Sequence, residues 1–155
     1  MAGQIDARLA ELGIEVPAAA APVANYVGAV VTGSLVFVSG QVTVKDGAFL
    51  HIGKLGDNIS LEEGQAAARL CAINIISQVK AACGGDLDRV QRIVKLGGFV
   101  NSTPDFTDQP KVINGASDLM VEVFGDKGRH ARAAVSVPSL PLGVAVEIDA
   151  VVEIS

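Results

Sequence analysis

The sequence predicts an α+β fold, a single domain in which a mixed sheet of about six strands carries two helices on one face. Three observations lead there. Short β-branched runs bounded by Gly, Ser, Asp or Pro occur towards both ends of the chain. Two long helical stripes stand between them. Nothing in the sequence repeats, and no linker divides it. With 155 residues, 50% of them apolar and only 4% aromatic, the chain can fill one core, made of Val, Ile, Leu and Ala rather than large rings.

Taken in order, Ile5, Leu9 and Leu12 share one helical face that stops at Gly13, and Pro17, an alanine run and Pro22 follow as an arm. Residues 1–21 are therefore predicted to be a helical extension and arm, and residues 22–155 the domain proper. The stretch YVGAVVTGSLVFVSG reads as two strands joined at Thr32-Gly33-Ser34, and Lys45-Asp46-Gly47 makes a second tight turn. Ser60 and Glu63 form a capping box ahead of Ala72, Ile76, Val79 and Cys83, and Gly84 ends that helix. DRVQRIVKLGGFVN returns to strand character. Asp108 and Pro110 then open a second helix, with Val112, Ala116, Leu119, Met120 and Val123 as its stripe and Gly125 as its stop. ARAAVSV and GVAVEIDAVVEI are the last strands, predicted to pair as a hairpin around PSLPLG, for an overall order β-β-β-α-β-α-β-β.

Composition disfavours several functions. A net charge of -5 without a basic stripe sets no field for phosphates, so nucleic acid is an unfavourable partner. Asp6, Arg8 and Glu11 interrupt what would be the apolar core of a signal peptide, and no stretch approaches the ~20 apolar residues of a membrane span; a cytoplasmic protein is expected. Cys71 and Cys83 point in different directions on one helix and read as buried thiols rather than a disulfide. Two histidines and two thiols far apart offer no metal-ligand spacing, LGGFVN lacks the lysine of a phosphate loop, and Ser39 has no histidine at a suggestive spacing.

Two helices cover only one side of the sheet, yet SLVFVSG and ARAAVSV are apolar or small on both faces. The open face is therefore expected to close against further copies of the chain. Arg132 stands inside one of these strands. If ARAAVSV and GVAVEIDAVVEI pair as a hairpin with matched apolar faces, Arg132 shares the open face with Glu147 and Asp149. On a solvated face that is an ordinary salt bridge of little value. Under a neighbouring subunit, such charges would be costly to keep without a use. His130 has the parity of Arg132 but reads as a solvated residue at the strand edge, and His51 as turn-side packing.

NYVGAVVTGSLVFVSGQV, the capped helix, GFVNSTPDF and above all ARAAVSVPSLPLGVAVEIDAV closely resemble the reactive intermediate deaminase (RidA/YjgF) family, also called endoribonuclease L-PSP, from about Pro22 to the C-terminus. The Ser-Gly-Gln turn and the spacing Arg-x-x-Val, Leu-Pro, Val-Glu carry the likeness together. It implies a chorismate-mutase-like homotrimer with clefts between subunits and an enzyme that hydrolyses 2-imino acids or their enamine tautomers. It implies Arg132 as the carboxylate clamp, Glu147 as the residue that holds or activates water, and Tyr26, Ser39, Gly40 and Asn114 around the pocket. Ala134 stands where the best-known members often carry cysteine, leaving a backbone group without a thiol. No metal or organic cofactor is implied. A carboxylate-binding trimer without catalysis and an RNA-cleaving protein are the alternatives, the second disfavoured by charge.

Overall fold

The computed structural model describes residues 3–21 and 24–155; the expected domain start at Pro22 lies outside them. Helix α1, Gln4–Glu11, buries Leu9. It is fastened by Asp88, whose carboxylate accepts from the backbone N–H groups of Gln4 (3.0 Å) and Ile5 (2.9 Å) at the helix start. Those two bonds hold the Asp88 carboxyl below its ordinary range.

Strands β1 (Ala29–Thr32) and β2 (Leu35–Gln41) form the expected hairpin, with Gly33 at φ 58° in its turn. The next turn joins β3 (Val44–Lys45) and β4 (Ala48–Phe49), which make a small sheet of their own. Helix α2 (Leu61–Ala82) is capped by Ser60, whose Oγ accepts from the Glu63 N–H at 3.1 Å. Strand β5 (Val90–Asn101) is followed by helix α3 (Gln109–Phe124), strand β6 (Ala131–Val137) and strand β7 (Val146–Ile154). The main sheet has five strands rather than about six, in the order β1-β2-β7-β5-β6, because β3 and β4 pair only with each other.

Helices α2 and α3 lie together on one face of this sheet, over Val36, Val38, Leu96, Val100, Ile148 and Val152. They approach closely at Gly115, where an added Cβ would fall 2.1 Å from the Gln65 carbonyl oxygen. Among the described residues the opposite face carries no helix. It exposes Val30 (51%), Phe37 (46%) and Val135 (46%) among charged neighbours, the apolar patch expected from strands that are apolar on both sides.

The expected hairpin of the last two strands does not form. Strand β6 runs parallel to β5, and β7 lies antiparallel between β2 and β5. A helix between two strands of one sheet makes a crossover, which fixes β6 beside β5 as a parallel neighbour. The turn after β6 therefore passes over the end of β5. Asn101 ties it down there, its Nδ2 donating to the Val144 carbonyl at 3.2 Å.

Candidate functional site

The parallel register decides where Arg132 points. Leu96 pairs with Arg132, and paired residues of neighbouring strands share a face. Leu96 is 0% exposed beneath the helices, so Arg132 faces α3 and not the open side. Glu147 pairs with Phe99 and Asp149 with Gly97, positions of the other parity on β5. The expectation that Arg132 shares a face with Glu147 and Asp149 is thus overturned. Matching apolar faces failed as a guide because Val135 sits half-exposed on the open face, the face of the carboxylates, with Phe99 of β5 between it and Glu147.

Arg132 is half-buried and held by neutral acceptors. Its Nη1 donates to Ser117 Oγ at 3.1 Å and its Nη2 to the Pro110 carbonyl at 3.2 Å. Both partners lie on α3, and Asn114, also half-buried, stands between them on the same helical stripe, one turn from each. Ala134 follows on the Arg132 face of β6 and packs against the core. Among the described residues no carboxylate lies within ion-pair distance of Arg132. A guanidinium has five N–H donors. Two are used, so among the described residues three remain without a protein acceptor and the full positive charge is uncompensated.

The carboxylates form a second group on the open face. Gly40 lies so close to Glu147 that an added Cβ would fall 2.5 Å from its Oε2, and Gly97 likewise makes room for Asp149 at 2.3 Å. Burial first, then the like charge of Asp149, pushes the Glu147 carboxyl up from its ordinary range. A carboxylate so placed takes a proton more readily than a solvated one. Ser39 precedes Gly40 inside β2, where the pairing with β7 shifts register between Val38 and Gln41, so the expected Ser-Gly-Gln turn is a strand irregularity. The Ser39 Oγ donates to the Val27 carbonyl at 2.7 Å, closing the β2 end onto the segment before β1. Tyr26 is the neighbour of Val27 and is 54% exposed. The thiols of Cys71 and Cys83 are free and pushed up mainly by burial, which makes them poor nucleophiles.

The structure therefore gathers Arg132, Ala134 and Asn114 at one place, between β6 and α3. It gathers Ser39, Gly40 and Glu147 at another, with Tyr26 next to it in the chain, on β2 and β7. Strand β5 separates the two groups. Sequence reasoning missed Ser117, and it set His130 aside as solvated. His130 is half-buried, with Nε2 2.8 Å from Ser117 Oγ and Nδ1 2.6 Å from the Gly128 carbonyl. The signal was present: His130 has the strand parity of Arg132, and Ser117 lies one helical turn from Asn114.

The family model of YjgF/chorismate mutase-like proteins, whose description adds the word endoribonuclease, matches residues 6–153. The chain belongs to that family. Protein TCP17 of Trypanosoma cruzi is 54% identical over 154 residues, 99% of this chain and 96% of that one. Among solved structures, Atu1372 of Agrobacterium tumefaciens, a protein of unknown function, superposes with a TM-score of 0.92 at 50% identity, covering 97% of this chain and 92% of that one. Escherichia coli TdcF with bound serine superposes with a TM-score of 0.64 at 26% identity, covering 88% and 94% respectively. As a YjgF-like chain, this protein shares its α+β architecture with these relatives. None of its helices among the described residues is long and apolar enough to cross a membrane.

Proposed function

We propose that this protein hydrolyses 2-imino acids, or their enamine tautomers, to 2-keto acids and ammonia. The observation that carries the reading is Arg132: a half-buried guanidinium held by a hydroxyl and a carbonyl, with no carboxylate among the described residues to neutralise it. Such a group is poised for an anion, and its planar fork matches a carboxylate in two parallel bonds. Serine, the ligand bound by TdcF, also carries a carboxylate next to a nitrogen-bearing carbon.

In this reading Arg132 binds the substrate carboxylate and turns C2 towards a water. The water adds to C2 as Glu147 takes one of its protons and passes it to the nitrogen. The C–N bond then breaks as the new hydroxyl gives up its proton to the leaving nitrogen, which departs as ammonia and leaves the 2-keto acid. Burial and the like charge of Asp149 raise the Glu147 carboxyl, which makes it a better proton acceptor than a solvated carboxylate. Because Arg132 and Glu147 lie on opposite faces of one sheet, the reading requires a further copy of the chain to bring a Glu147 to each Arg132. A homotrimer with clefts between subunits, closed over Phe37 and Val135, meets that need. The same separation favours a second reading, a binding protein in which Arg132 captures small carboxylates and no water is activated.

The test generates 2-iminobutanoate in situ and follows ammonia and keto-acid release with wild type, Arg132→Lys and Arg132→Ala. Lysine keeps the charge and loses the fork, so both variants are expected to fall in kcat/KM by about a hundredfold or more with the oligomer intact. Equal release from all three proteins would remove the clamp. Carboxylate binding without turnover in wild type would favour the binding protein.

A further inference from the structure

We infer that Ser117 and His130 are positioning residues that set the guanidinium of Arg132 for its ligand and, supplying no negative charge, leave its own charge free for that ligand. The inference rests on the carboxylate-clamp reading of Arg132 and deepens it.

The hydrogen-bond roles follow from chemistry. The Gly128 carbonyl can only accept, so the Nδ1 of His130, 2.6 Å away, carries a proton. In the neutral ring Nε2 is then an acceptor, and the only proton available at 2.8 Å is that of the Ser117 hydroxyl. With its proton committed to His130, Ser117 turns its lone pairs to Arg132 Nη1 at 3.1 Å. Every donor points the same way, from Arg132 to Ser117 to His130 to Gly128.

The far end of this chain is fixed. Gly128 is buried, and an added Cβ there would fall 2.1 Å from the Met120 carbonyl oxygen, so the anchoring loop lies directly on α3. A helical serine otherwise tends to bond back to the carbonyl one turn earlier, which would turn its proton away from His130 and its oxygen away from Arg132. His130 prevents that. An acidic residue in place of Ser117 would hold Arg132 as firmly but would neutralise it, and the ligand carboxylate would then meet a satisfied pair. Ser117 with His130 gives orientation without neutralisation. The Pro110 carbonyl holds the second nitrogen, again without charge.

Two measurements test this. In wild type, long-range proton–nitrogen correlation of the histidine rings is expected to show His130, with the ring neutral, protonated on Nδ1; protonation on Nε2 would overturn the relay. The second is the affinity for 2-oxobutanoate, a stable carboxylate, together with KM and kcat on 2-iminobutanoate. Ser117→Ala and His130→Ala are each expected to weaken binding and raise KM by about tenfold with kcat changed less than about twofold, the scale of one hydrogen bond to a charged group. Ser117→Thr, which keeps the hydroxyl, is expected to recover most of the loss. The double variant is expected to lose no more than either single one, because both remove the same link. If Arg132→Lys abolishes binding while Ser117→Ala and His130→Ala bind as wild type does, the relay is refuted and the clamp stands. If Arg132→Lys binds and turns over as wild type does, the clamp is refuted and the relay with it.

Discussion

The two faces of the five-stranded sheet hold charge in opposite ways. Under α3, Arg132 is positive, oriented by Ser117 and the Pro110 carbonyl, and without a counter-ion among the described residues. On the bare face Glu147 and Asp149 stand one strand step apart on β7, and neither makes an ion pair among the described residues. One side therefore retains a free cation by giving it neutral partners. The other retains a protonatable carboxylate by crowding it with burial and a like charge. Within one chain these opposite charges could have neutralised each other, and the parallel placement of β6 keeps them apart. Under the proposed function the sheet separates a binding half from a proton-transfer half, and joining them is the work of further copies of the chain.

The largest effect expected on the open face comes from Glu147→Gln. Loss of the proton acceptor is expected to lower kcat for imine hydrolysis by about a hundredfold. Stability should move the other way. Folding raises the Glu147 carboxyl, so the folded chain binds its proton more tightly than the unfolded chain, and stability falls as pH rises from the ordinary carboxylate range through the raised value. Glutamine removes that loss, so melting at neutral pH is expected about 1–3 °C higher, with no gain in acid below the ordinary carboxylate range. A lower melting temperature at neutral pH would mean that Glu147 has a cationic partner in the assembled protein.

Gly40→Ala sharpens the comparison more gently. The new Cβ would meet the end of a flexible side chain, Glu147 Oε2, so the fold is expected to absorb it within about 2 °C of melting temperature. The carboxylate must move, however, and kcat is expected to fall about tenfold. Unchanged kcat would show that the placement of Glu147 against Gly40 has no bearing on turnover.

Much of this was legible in the sequence, and what was not has a physical cause. Helix ends were readable because they depend on neighbours in the chain: Ser60 with Glu63, Asp108 with Pro110, and the glycines at 84 and 125. The Gly33 turn was readable for the same reason. Strand partnership is not local. PSLPLG is short enough for a hairpin, and only the α3 crossover and the passage of the turn over Asn101 exclude one. That single misassignment moved Arg132 to the wrong face. Arg132 and Glu147 themselves stood out, since charges in apolar strands are costly wherever they point. Ser117 did not, because a serine on a helix carries no signal until the strand beneath it is known.

The smallest effect expected is on RNA. With a net charge of -5 and no basic stripe, association is expected to be weak at low salt and to vanish as salt rises, measured by fluorescence anisotropy of a labelled oligonucleotide. Salt-resistant binding, or cleavage by protein purified to homogeneity, would give the family's endoribonuclease description a basis in this chain.

Subunit complementation tests the joining of the two halves most directly. Arg132→Ala and Glu147→Gln proteins, each expected to retain about a hundredth of wild-type activity or less alone, are mixed in equal amounts, unfolded, refolded together and assayed on 2-iminobutanoate. If every site takes Arg132 from one protomer and Glu147 from another, random assembly leaves about a quarter of the sites with both residues intact, and about that share of wild-type activity is expected to return. If the mixture stays as inactive as its components, the two halves do not meet across a protomer boundary, and assembly does not rejoin the charges that the sheet keeps apart.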